Sequence, residues 1–278
     1  MKKTDVSAKR IFEFCVSHTR EEMGRAAARD VAQAMTRFIR ETGKVNIVLA
    51  AAPSQNEFLA HLGRSKGIDW SRVTAFHLDD YVDLPRHHPN TFEEYLEEHI
   101  FNRVEPGKKH LFKALKGSPA EIAKKYAALI QSSGGIDISC LGIGENGHLA
   151  FCEPGSDFRD PRMVRIVRID ERTVRQQYRD YHDNPNPEAR YASLAAVPRR
   201  AFTITIPTIL SSREIFTIVP GPKKAAAVRR MWEGRISPAS PASALRLHSN
   251  VKIYLDEDSV GKLSWQEGPE TGESMSKT

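Results

Sequence analysis

Apolar residues recur at helical spacing from Met23 through Ala27, Val31, Ala34 and Met35 to Phe38, so residues after Thr19 are expected to form a long amphipathic helix. The tetrad Thr19-Arg20-Glu21-Glu22 supplies a capping box at its start, and Gly43 supplies its end. The pattern then changes period. Val45-Asn46-Ile47-Val48-Leu49-Ala50-Ala51 is a short apolar run of the kind that makes a strand buried on both faces, and it leads through Ala52-Pro53-Ser54-Gln55 into a helical segment, NEFLAHLGRSKG. The alternation continues with a strand at Val73 to Leu78, helices around TFEEYLEEHIF and PAEIAKKYAALIQSS, and a strand at Ile136 to Leu141. Further strands are expected at VRIVRID, AFTITIPTIL, EIFTIVP and VKIYLD, with one more helix at KKAAAVRRMWEG. Strands alternating with helices predict an α/β fold, a single doubly wound, Rossmann-like and mainly parallel sheet flanked by helices. One domain over residues 10–265 is expected, followed by a flexible tail over 266–278.

Composition narrows the function classes. At 278 residues, with 40% hydrophobic and 27% charged residues, the chain is that of an ordinary globular protein and can bury a large core without covalent staples. Its 41 basic residues exceed its 35 acidic ones, and the arginines are spread along the chain; this favours a small anionic ligand and no nucleic acid. Three cysteines, Cys15, Cys140 and Cys152, have no CxxC spacing and fit neither a disulfide framework nor a zinc knuckle, so a reducing, cytoplasmic setting is expected. The apolar run IFEFCV is too short for a signal peptide, and no stretch approaches the roughly 20 apolar residues of a membrane helix. No membrane partner, metal or cofactor is expected, and the sequence specifies no oligomeric state, leaving a homo-oligomer open.

In a doubly wound sheet, ligands collect beyond the carboxyl ends of the strands, and three segments lie there. After the strand ending at Leu141 comes Gly142-Ile143-Gly144-Glu145-Asn146-Gly147-His148-Leu149-Ala150-Phe151-Cys152-Glu153-Pro154. Gly142, Gly144 and Gly147 allow tight turns and close backbone approach, and they bring His148 and Glu153 to one rim, a general acid/base with a carboxylate to hold its orientation. The spacing also fits a plain glycine-rich turn with an exposed histidine. The second segment places Asp79 and Asp80 at a strand end, where side-chain alternation turns only one of them to the crevice; that carboxylate could accept a carbon-bound proton, or both could be turn and cap residues. In the third group, the loop Ala51 to Gln55, with Ala52 and Ser54, precedes a helix, and Lys224 sits between a strand and a helix. Neither alone departs from ordinary loop chemistry.

The stretches FHLDDYVDLPRHHPNTFEEYL and LGIGENGHLAFCEPGSDF resemble the glucosamine-6-phosphate deaminase family, in the same order and at similar spacing. AFTITIPTIL, TIVPGPKKAAAV and SPASALRLH extend the resemblance over roughly residues 20–258. It implies an aldose–ketose isomerisation coupled to deamination, giving fructose 6-phosphate and ammonia from a phosphorylated amino sugar without a cofactor. In this reading His148 opens the sugar ring, Glu153 and Asn146 orient it, and Asp79 moves the proton from C2 to C1. Phosphate falls to the Ala52–Gln55 loop, with Ala52 and Ser54, to Lys224 and to an arginine, Arg179 by best alignment or Arg175; Gly144 and Gly147 are further substrate-binding positions. Two positions depart from the family's pattern. The phosphate loop, usually T-G-[SG]-[ST]-P, is Ala51-Ala52-Pro53-Ser54-Gln55, and Asn146 stands where many members carry Asp. Galactosamine 6-phosphate is the alternative substrate; 6-phosphogluconolactone hydrolysis and non-catalytic sugar-phosphate sensing fit less well.

Overall fold

The structure, a computed structural model, describes residues 11–264 except 183–185, together with the backbone of 275–277. Its strands are β1 (Ile11–Ser17), β2 (Val45–Leu49), β3 (Val73–His77), β4 (Asp79–Tyr81), β5 (Lys108–His110), β6 (Ile138–Leu141), β7 (Val164–Arg168), β8 (Arg200–Ile204), β9 (Glu214–Val219), β10 (Asn250–Asp256) and β11 (Met275–Lys277). Eight of them form a parallel sheet in the order β11-β1-β10-β9-β6-β2-β3-β5. The helices are α1 (Arg20–Thr42), α2 (Asn56–Leu62), α3 (Phe92–Leu96), α4 (Pro119–Ser132), α5 (Glu171–His182), α6 (Ile206–Leu210), α7 (Ala225–Glu233) and α8 (Glu257–Val260).

The apolar pattern explains the layering. Along β2, Ile47 and Leu49 point to a core shared with Met23, Val31, Met35 and Phe38 of α1 and Phe58 and Leu62 of α2. Val48, one residue out of step, points to the opposite core, with Tyr126 and Ile130 of α4 and Val228 and Met231 of α7. A strand buried on both faces needs apolar residues at successive positions, which is why these segments read as runs. The capping box forms as expected: the Thr19 side chain accepts from the Glu22 N–H, the Glu22 carboxylate accepts from the Thr19 N–H, and Gly43 closes α1 with a left-handed φ of 77°.

VRIVRID and the first half of AFTITIPTIL do not join this sheet, and the second half of the latter, Ile206–Leu210, is the helix α6 with Pro207 in its first turn. As β7 and β8 the two strands form a second, antiparallel sheet with β4, in the order β4-β8-β7. β7 is half-buried over Arg165, Ile166 and Val167 and exposed at Arg168, and such a strand suits an antiparallel sheet with one wet face better than a fully buried parallel one. Segment 92–101 also differs, since α3 continues from Glu97 to Phe101 as a wider π turn. β1, β4, β5, α5 and α8 have no counterpart in the sequence-based expectation. The expected tail lies outside the described residues except for Met275–Lys277, whose backbone pairs with β1.

The chain runs from β2 outward through β3 to β5, then returns to β6 and continues the other way through β9 to β10. The order therefore reverses between β2 and β6, and that reversal opens a crevice at the strands' carboxyl ends.

Candidate active site

A cavity of about 320 Å³ occupies this crevice. Four loops at strand ends line it: Ala50 to Gln55 after β2, Leu78 and Asp79 after β3, Gly142 to Glu145 after β6, and Pro220 to Lys224 after β9. The side of α5 and Arg20, the first residue of α1, complete the wall.

The two adjacent aspartates part as strand alternation requires. Asp79 faces the cavity. Asp80 points the other way, fully buried, and accepts from the backbone N–H groups of Phe92 at 3.1 Å and Glu93 at 3.3 Å, so it stabilises the start of α3. Among the described residues, none donates a backbone N–H to Asp79 in this way. Burial raises its pKa well above the ordinary carboxylate range, and the neighbouring charges of Asp80 and Glu153 add to the shift.

His148 lies against the backbone of Gly144. A Cβ on Gly144 would sit 2.2 Å from the imidazole Cε1 and Nε2, so only glycine leaves room for the ring. Gly147, with a φ of 93°, makes the turn between them; it does not line the cavity, and its carbonyl accepts from the Ala242 N–H at 2.8 Å. Behind the ring stand Asn146, Glu153 and Thr173. The Glu153 carboxylate accepts from Asn146 Nδ2 at 2.7 Å and from Thr173 Oγ1 at 3.0 Å. Burial opposes its ionisation, but His148, Asn146 and Thr173 together hold its pKa below the ordinary range. Glu153 lies 3.6 Å from His148 Nδ1, an ion-pair distance and not a hydrogen bond, whereas Thr173 Oγ1 lies at 3.0 Å.

Ala52, Ser54, Arg20, Lys223 and Lys224 also line the cavity. Gln55 is buried and its Nε2 donates to Ser54 Oγ at 3.0 Å and to the Ile218 carbonyl at 3.2 Å, which leaves the Ser54 hydroxyl proton free for a ligand. Burial pushes the Lys224 ammonium below its usual pKa, against the opposing effect of Asp180 and Glu145. Arg179 is not where a phosphate contact was expected. α5 turns Gln176, Gln177 and Asp180 to the cavity, while Arg175 and Arg179, four residues apart on the outer face, are exposed and Arg179 pairs with Glu145 at 2.6 Å. Two amides and a carboxylate thus occupy the wall assigned to an arginine. Among the described residues, no three or more His, Cys, Asp or Glu side chains converge to hold a metal ion.

Residues 18–254 match the profile of the glucosamine-6-phosphate isomerases/6-phosphogluconolactonase family. The chain belongs to this family. Glucosamine-6-phosphate deaminase 2 of Bacillus subtilis strain 168 is 36% identical over 199 residues, 70% of this chain and 76% of that one. Glucosamine-6-phosphate deaminase of Halalkalibacterium halodurans is 31% identical over 239 residues, 84% of this chain and 92% of that one. A solved monomeric glucosamine-6-phosphate deaminase superposes with a TM-score of 0.80 at 29% identity, over 90% of this chain and all of that one. The 6-phosphogluconolactonase of Trypanosoma brucei, at 17% identity and a TM-score of 0.71 over 92% of this chain and all of that one, shares the fold.

Within this family member, sequence reasoning missed Thr173, Gln176, Gln177 and Asp180. The Asp170 that opens the segment before α5, followed by polar residues at spacing 173, 176, 177 and 180, is the signal that could have found them, since these positions share one face of a helix. Also among the described residues, no helix is long and apolar enough to cross a membrane, and Cys15, Cys140 and Cys152 are free and buried.

Proposed function

We propose that this protein converts glucosamine 6-phosphate to fructose 6-phosphate and ammonia. The observation that carries the reading is the convergence of Asp79 and His148, with Glu153 behind the ring, on one cavity that is also lined by Arg20, Lys223 and Lys224. The relatives named for this reaction support it.

The chemistry follows from the positions. His148, engaged through Nδ1, offers Nε2 to the sugar and moves the C1 hydroxyl proton to the ring oxygen, which opens the ring to an aldehyde. Asp79 then takes the proton from C2, leaving an enolamine with nitrogen on C2 and hydroxyl on C1. Returned to C1, that proton gives a ketone-level imine at C2; water adds there and ammonia leaves, so one water is consumed for each ketose formed. Ionised Asp79 is the competent form, and its burial makes it a stronger base than a surface carboxylate.

Ser54, Ala52 and Lys224 are assigned to the 6-phosphate, with Arg20 and Lys223 supplying further positive charge. Lys224→Ala is expected to raise KM about tenfold or more with kcat nearly unchanged, because a phosphate contact made equally in ground and transition states is uniform binding. Initial-rate measurements over a range of substrate concentrations check this; a fall confined to kcat would remove Lys224 from the phosphate site.

The reading itself is tested by giving the purified protein glucosamine 6-phosphate, galactosamine 6-phosphate and their N-acetyl forms in parallel. Equimolar ammonia and ketose phosphate from the glucosamine compound is the expected outcome. Product from the galactosamine compound alone would change the sugar, and none from any of them would overturn the reading.

A further inference from the structure

Asn146 does not touch the imidazole it was expected to orient. Its Oδ1 accepts from the backbone N–H of His148 at 3.1 Å. A backbone N–H can only donate, so this bond fixes which end of the amide is oxygen, and the Nδ2 end must face Glu153 at 2.7 Å and Thr173 Oγ1 at 3.2 Å. Thr173 Oγ1 has one proton and two acceptor sites. One acceptor site is taken by Asn146 Nδ2. Glu153, ionised, has no proton to give, so the Thr173 hydroxyl must donate to it across their 3.0 Å contact. The remaining contact of that oxygen is His148 Nδ1 at 3.0 Å, and with the hydroxyl proton already committed, Nδ1 must be the donor.

We propose that Thr173 is a positioning residue for the reaction: its hydroxyl accepts the Nδ1–H of His148 and donates to Glu153, fixing the tautomer in which Nε2 is free to act as the base. The carboxylate is too far from Nδ1, at 3.6 Å, to set the tautomer directly. Thr173 is buried on the inner face of α5, so each bond is held by packing. A backbone amide thus sets a side-chain amide, that amide sets a hydroxyl, and the hydroxyl sets the ring. The catalytic use of this tautomer rests on the deaminase reading; the tautomer itself does not.

The test separates the two. In ¹⁵N spectra of imidazole-labelled protein without substrate, His148 is expected to show protonated Nδ1 and bare Nε2 in its neutral form. Thr173→Val, which keeps the shape and removes the hydroxyl, should shift the neutral ring toward the Nε2–H form. Thr173→Ser should restore the original signals. With glucosamine 6-phosphate, Thr173→Val is expected to lose about tenfold or more in kcat, as when partners that orient ligating histidines are removed, with KM little changed, and Thr173→Ser to recover most of it. Unchanged ¹⁵N shifts in a folded Thr173→Val protein, or a bare Nδ1 in the unaltered one, would overturn the proposal whatever the substrate proves to be. Should Thr173→Val fail to fold, the spectrum of the unaltered protein and that of Thr173→Ser still decide it.

Discussion

Asp79→Asn is expected to abolish exchange of the substrate C2 hydrogen with solvent and to lower kcat by about 10²-fold or more, while sugar-phosphate binding stays near that of the unaltered protein and the melting temperature above neutral pH rises. The loss follows because an amide cannot accept the C2 proton. The gain in stability has a separate origin. Asp79 is buried among the charges of Asp80 and Glu153, so its pKa in the folded chain lies well above the value of about 4 that it has when unfolded. Stability associated with its protonated form is complete below the unfolded pKa and is lost as pH rises through the folded one. Asn avoids that loss, so the melting temperatures of the two proteins should agree near pH 4 and diverge as the pH is raised. Activity moves the opposite way with protonation: kcat/KM should rise with pH through the folded-state pKa of Asp79, above the ordinary carboxylate range. Glu153→Gln removes one of the charges that raise this pKa, and the acid limb of its residual activity should move to lower pH. Thermal scans and rate profiles over the same pH range check both signs; equal melting temperatures at high pH would show that Asp79 is not held under strain.

Gly144→Ala should be nearly as damaging with a single methyl group. Its Cβ would fall 2.2 Å from two atoms of the His148 ring, far inside contact distance. The ring must then move off its place beside Thr173 and Glu153, and a misplacement of about 1 Å at a reacting group can cost about 10²-fold in rate. The backbone should tolerate alanine, because Gly144 lies outside the left-handed region that Gly147 occupies. The expected protein is folded and binds ligand but is slow. Circular dichroism with steady-state kinetics distinguishes this from unfolding, and a kcat within twofold of the unaltered protein would show that His148 is not fixed by that contact.

Much of this arrangement was legible in the sequence where local rules decide the outcome. The box at Thr19 and Glu22, the αL end at Gly43 and the buried run at Val45 to Leu49 each depend on neighbours within a few residues, and each forms as read. The parting of Asp79 and Asp80 was also readable, because strand alternation needs no tertiary information. What the sequence hid were choices made by packing. Ile11 to Ser17 carries Glu13 inside its apolar run and is mixed in exposure, so it does not declare itself, and it becomes β1 by pairing with β10. VRIVRID and the first half of AFTITIPTIL have strand composition, but nothing local says which sheet they join. No helix was read at α5, and its rotation, which depends on how α5 docks, decides whether Arg179 or Gln176, Gln177 and Asp180 meet the ligand. Thr173 was hidden for the same reason: it lies 20 residues from Glu153 and 25 from His148.

The central claim is that Asp79 moves the C2 proton of a phosphorylated amino sugar that His148 has opened. It is tested most directly by turnover of glucosamine 6-phosphate deuterated at C2, in ordinary water, with ammonia and the isotope content of product and remaining substrate followed together. The account predicts one ammonia per ketose phosphate, with the deuterium gone from C2 and either lost to water or delivered to C1, and none of this in Asp79→Asn. Ammonia release with undiminished isotope loss in Asp79→Asn, or recovery of the substrate with its C2 deuterium intact and no ammonia formed by the unaltered protein, would contradict it.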